Sequence, residues 1–104
     1  MSKLALLIKT KAKPGKRDEV LHLFETHLQA AAESNDAQEV IFYCYDTTDD
    51  DTFYLFELYA DQEALQQASQ SPGFAAYMQE AMTLLAGPPE VTVTTPVWTK
   101  GASL

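Results

Sequence analysis

The sequence predicts an α+β fold in which one four-stranded antiparallel sheet carries helices on a single face. Three observations point there. Apolar residues alternate with period two in four stretches, they recur at spacings of three and four in the stretches between, and the resulting order is β-α-β-β-α-β. With 104 residues, 46% of them hydrophobic, the chain is expected to form a single domain over 1–104 around one core.

The first strand spans residues 3 to 12, where Leu4, Leu6 and Ile8 alternate and Lys9 and Lys11 mark the wet end. Pro14-Gly15 breaks it. From Lys16 the apolar positions Val20, Leu21, Phe24, Leu28 and Ala31 define one face of a helix, with Asp18 and Glu19 placed well for its first turn, until Ser34-Asn35-Asp36 stops it. Glu39 to Tyr45 is β-branched and aromatic enough for a strand covered on both faces. The polar run Asp46 to Asp51 is the turn into a returning strand, Thr52 to Tyr59. On that strand Phe53, Leu55, Glu57 and Tyr59 share one face, and Tyr54, Phe56 and Leu58 the other. Asp61 is a suitable N-cap for a helix to about Ser69, and Ser71-Pro72 starts a second one carrying Phe74, Tyr77, Met78, Met82 and Leu85. Gly87-Pro88-Pro89 ends it, and Val91 to Trp98 reads as the last strand, with Pro96 confined to an edge or bulge.

This order is the ferredoxin-like split plan. Helices there cover one side of the sheet, whereas these strands carry large apolar residues on both. The bare face therefore needs a partner, and a second copy packed sheet to sheet supplies one, so a two-fold homodimer is expected.

Charge narrows the partners. All fifteen acids fall between Asp18 and Glu90, while every Lys and Arg lies at or before Arg17 except Lys100, for a net charge of −8. Such a surface repels phosphate backbones and anionic membranes, so neither nucleic acid nor a membrane is an expected partner. The scarcity of cations also disfavours haem propionates and nucleotide or flavin phosphates. The apolar run Leu4 to Ile8 is too short for a signal-peptide core, and a lone Cys44 suits a reducing compartment, so a cytoplasmic location is expected. His22 and His27 sit on different helix faces and cannot share a metal, so no metal site is expected.

Four segments carry a resemblance: Lys11-Ala-Lys-Pro-Gly-Lys16 after the first strand, Thr52-Phe-Tyr-Leu-Phe-Glu-Leu-Tyr-Ala-Asp61 leading into a helix, Ser71-Pro-Gly-Phe74, and Leu85-Ala-Gly-Pro-Pro-Glu90 before the last strand. In this order the chain resembles the antibiotic biosynthesis monooxygenase family, small proteins that form a dimeric α+β barrel. The resemblance implies oxidation of a small aromatic, polyphenol or quinol by molecular oxygen with no cofactor, the deprotonated substrate itself reducing oxygen. Relatives with other roles keep two alternatives open: a non-catalytic dimer that binds a small molecule, and an isomerase or cyclase of a keto metabolite.

Two residues are candidates for proton transfer. Glu57 interrupts an otherwise apolar strand face, where desolvation disfavours its charge and makes it a usable base; the resemblance also places a family Glu there. Its bland alternative is structural hydrogen bonding at the strand end or the dimer interface. His27 has Leu23, Phe24, Ala30 and Ala31 at helical spacing and lies on the apolar side, where a neutral imidazole can accept a phenolic proton or simply satisfy a backbone carbonyl. His22, among Asp18, Glu19, Glu25 and Thr26, is expected in solvent. Tyr59, Phe74, Tyr77 and Tyr43 are the candidate ring-binding residues, with core packing as the alternative for each.

Overall fold

The computed structural model describes residues 2–104. Its elements are β1 (Leu4–Lys11), α1 (Arg17–His27), α2 (Gln29–Ser34), β2 (Gln38–Tyr45), β3 (Thr52–Tyr59), α3 (Gln62–Ser69), α4 (Pro72–Ala81) and β4 (Glu90–Thr94). The strands form one antiparallel sheet in the order β2-β3-β1-β4. The expected ferredoxin-like α+β plan, with helices on one face, is the observed one.

Alternation decides what each face carries. Leu6 stands opposite Glu57 on β3 and Val93 on β4, and Ile8 stands opposite Leu55 and Val91, so these six side chains share the helix-facing surface. On the other face Ala5 and Leu58 are buried, but Leu7 and Phe42 remain 48% and 59% exposed. The core near α1 is built on Ala12, Val20, Phe53 and Leu85, and a second cluster joins Leu6 and Tyr59 to Ala64 of α3.

Both expected caps are formed. The backbone N–H of Ala64 donates to Asp61 Oδ1 at 2.8 Å, and that of Phe74 to Ser71 Oγ at 3.2 Å, so α3 and α4 start where short polar side chains satisfy their free amides. The acidic β2–β3 turn is more than a solvated charge run. Asp46 Oδ1 accepts from the amides of Thr48 and Asp49, which holds its carboxyl well below the usual carboxylate range. Arg17 Nη1 donates to the carbonyls of Asp46, Asp49 and Thr52, and its guanidinium lies 3.8 Å over the Tyr45 ring.

Three expected boundaries are corrected, the first being that the helix read from Ser71-Pro72 to Gly87 ends at Ala81, with Leu85 in a β-bridge to Ala12. The helix read as continuous from Lys16 breaks at Leu28, whose φ of −122° is non-helical, giving α1 and the short α2. The break lies where α4 meets α1: a Cβ built on Gly73 would stand 2.8 Å from the His27 carbonyl oxygen. The last strand ends at Thr94 rather than Trp98, because Pro96 has no amide to continue the ladder with β1. Val97 and Trp98 lie beyond it in an exposed irregular segment.

Candidate functional site

Between the sheet and the helices lies a cavity of about 630 Å³, within the range of small-ligand pockets. Its floor is the helix-facing sheet surface; α1 contributes Phe24, the break after it Leu28, α3 Leu65 and Ala68, and α4 Phe74, Tyr77 and Met78. Among the described residues, Glu57 is the one charged residue in the lining, which contains no Lys, Arg or His.

Glu57 is 8% exposed, and its carboxylate is organised by two neighbours. The Tyr59 hydroxyl donates to Glu57 Oε1 at 2.6 Å. Gln38 Nε2 donates to the same oxygen and to Tyr59 Oη, both at 2.9 Å. Among the described residues no donor engages Oε2, which leaves that oxygen free for a ligand. Burial pushes the Glu57 carboxyl up, against the two hydrogen bonds that favour its charged form. The result is a raised carboxyl with a fixed orientation and one open lone-pair edge at which a proton could be accepted.

Gln38 was not among the sequence-derived candidates, and a backbone irregularity explains why. Gln38 pairs with Tyr59 and Val40 with Leu58, so the ladder carries a bulge that leaves Glu39 as the extra residue. The bulge shifts the alternation by one and turns Gln38 to the face of Tyr59 and Glu57. Without it Gln38 would share a face with Val40, away from the cavity.

Of the other candidates, Tyr59, Phe74 and Tyr77 all line the cavity. Phe74 and Tyr77 stack with centroids 6.4 Å apart, and the Tyr77 hydroxyl is pushed up to about 12 by burial and then by the Glu57 charge. Tyr77 is therefore a neutral donor at ordinary pH. Tyr43 lies elsewhere: its ring stacks on Phe53 at 5.1 Å and meets Phe24 at 5.2 Å, so it belongs to the packing behind the cavity wall and lines only a neighbouring recess. His27 also lies outside the lining, where its Nε2 meets Glu80 Oε2 and joins the end of α1 to α4. His22 is exposed, as expected, and Cys44 is free and exposed on the opposite sheet face.

The protein is thus a ferredoxin-like α+β domain with one buried carboxylate in a largely apolar cavity. The model of the antibiotic biosynthesis monooxygenase family matches residues 4–80, and the chain belongs to that family. A Caulobacter crescentus structure named for the same family superposes with a TM-score of 0.85 at 21% identity, covering 93% of this chain and 92% of that one. A protein of unknown function from Nitrosomonas europaea gives 0.81 at 27% identity, over 99% and 97% of the two chains. An uncharacterized protein of Synechocystis sp. is 30% identical over 83 residues; that match covers 80% of this chain and 56% of the relative's length. Among the described residues no helix is long and apolar enough to cross a membrane, and no group of three His, Cys, Asp or Glu residues is placed to hold a metal ion.

Proposed function

We propose that this protein is a cofactor-independent monooxygenase of a small quinol or polyphenol. The observation that carries this reading is the Glu57 carboxylate, buried, raised and held by Tyr59 and Gln38 with Oε2 open to the cavity. Oε2 accepts the phenolic proton of a bound ring, and Phe74 and Tyr77 supply the aromatic wall against which the ring is held. The phenolate is electron-rich enough to reduce molecular oxygen. A C–O bond then forms at a ring carbon, the O–O bond breaks, and the second oxygen leaves as water with the abstracted proton and the proton lost from that ring carbon. Overall, quinol and O₂ give hydroxyquinone and H₂O, with all four electrons supplied by the ring. The apolar surroundings strengthen the Glu57 contact to the developing charge by excluding water.

The reading includes a two-fold homodimer formed through the uncovered sheet face. Leu7, Phe42 and Tyr54 are exposed there, and a second copy would bury them.

The test is oxygen uptake on a panel of hydroquinones without added cofactor, compared with the spontaneous rate. Wild type is expected to exceed background, and Glu57→Gln to lower kcat by about 10²–10⁴, the usual contribution of a positioned base. His27→Ala is expected to retain the rate because His27 faces Glu80. A fall in His27→Ala with Glu57→Gln unaffected would move the proton route to His27. Tight ring binding without uptake would favour a non-catalytic binding dimer.

A further inference from the structure

Among the described residues, the cavity carries its one charged group at one end. Gln38, Glu57 and Tyr59 stand together at the β2–β3 side, whereas the floor beyond them runs through Leu6 to Val93 on the edge strand. Leu6 is the register partner of both Glu57 and Val93, so the carboxylate and Val93 are two strand spacings apart, roughly 10 Å at about 4.8 Å each. Val91 and Val93 line the cavity and are still 52% and 54% exposed, which makes this edge its apolar mouth.

Size and charge agree with that shape. A dihydroxybenzene has about eight heavy atoms, and at about 30 Å³ for each water-sized atom it fills roughly 240 Å³. That is well under half of the 630 Å³ available. An anionic substituent finds no Lys, Arg or His among the described lining residues.

We propose that the substrate is a phenol or quinol bearing an unbranched hydrocarbon substituent, with its hydroxyl at Glu57 Oε2 and its chain leaving past Val93, and that chains ending in a negative charge are rejected. The inference rests on the ring-binding reading of this cavity but not on the oxygen chemistry. Each methylene laid along Leu6, Ile8 and Val93 leaves water, so affinity rises with chain length. A terminal carboxylate at the same place is partly desolvated beside valines with no cation to receive it.

The experiment is anaerobic titration calorimetry with three probes: hydroquinone, hexylhydroquinone, and the same six-carbon chain ending in a carboxylate. Hexylhydroquinone is expected to bind wild type at least about tenfold more tightly than either of the others. Val93→Lys, at a half-exposed edge position, puts an ammonium where the chain ends. It is expected to weaken the hexyl probe and strengthen the carboxylate one, reversing or erasing their order. Equal affinities for the two chains, no gain over hydroquinone, no binding of any probe, or a Val93→Lys variant with the wild-type order would each overturn the proposal. The expected order without oxygen uptake from any quinol would leave this inference standing and remove the monooxygenase reading.

Discussion

The Tyr59 hydroxyl donates to Glu57 Oε1 at 2.6 Å from a position two residues further along the same strand. The two side chains share a face because strand alternation has period two, and the contact exists because both are buried on it. Burial and hydrogen bonding act on Glu57 in opposite directions, and burial wins. Tyr59 limits how far the carboxyl rises, and its own hydroxyl is held protonated by burial and by the adjacent Glu57 charge.

Tyr59→Phe removes one of the two donors that favour the Glu57 carboxylate, so the carboxyl rises further. A base must be ionised to act, and the acid limb of the pH profile of kcat is expected to move to higher pH. Stability follows the same sign. A carboxyl raised in the folded state costs stability as pH climbs from its unfolded value through its folded one. The Tyr59→Phe deficit in Tm is therefore expected to grow from acid to neutral pH. Glu57→Gln, which cannot ionise, is expected to lose that dependence. A Tyr59→Phe acid limb that stays in place or moves down would mean that the hydrogen bond does not tune the base.

Gly73→Ala tests the contact between α1 and α4. In a free helix Ala is favoured over Gly by about 1 kcal/mol. Here its Cβ would lie 2.8 Å from the His27 carbonyl oxygen, and relieving such an overlap costs about 1–3 kcal/mol. The net effect is expected to be destabilising, with Tm lower by on the order of 4–8 °C for each kcal/mol in a chain of this size. A variant as stable as wild type would show that the two helices can separate freely at Leu28.

Phe42→Asp tests the dimer. Phe42 is 59% exposed on the uncovered face and leans on Phe56 at 6.2 Å, so a carboxylate there is solvated in the monomer. In a sheet-to-sheet dimer it would be buried against the partner's apolar face with no cation to pair it. Light scattering is expected to give twice 11.5 kDa for wild type at micromolar concentration and 11.5 kDa for the variant. A wild-type mass of 11.5 kDa would count against the dimer directly.

Much of the architecture was legible because it rests on local chemistry. The caps at Asp61 and Ser71, the alternation of Thr52 to Tyr59 and the helical spacing of Val20, Leu21 and Phe24 depend on neighbours within a few residues. Those signals placed Glu57, Tyr59, Phe74 and Tyr77 on surfaces that the fold turns into one cavity. The same periodicity put His27 and Tyr43 on apolar faces. It could not say that the first meets Glu80 across a helix contact and that the second is taken up by stacking on Phe53.

The clearest division falls at Gln38. Sequence alone determined that a strand runs to Tyr45 and that Glu57 shares a face of its neighbour with Phe53, Leu55 and Tyr59, since hydrophobic alternation is a property of the chain itself. Whether Gln38 faces the same way depends on the bulge at Glu39, which arises from how β2 registers against β3 and from the Ala60 amide bonding the Ala37 carbonyl at 2.8 Å. An extra residue in a ladder inverts every side chain beyond it, and register is decided by the pairing of distant segments. Tertiary structure therefore decided the feature that completes the site: a Gln amide turned inward to hold Tyr59 and Glu57 with one carboxylate oxygen left open.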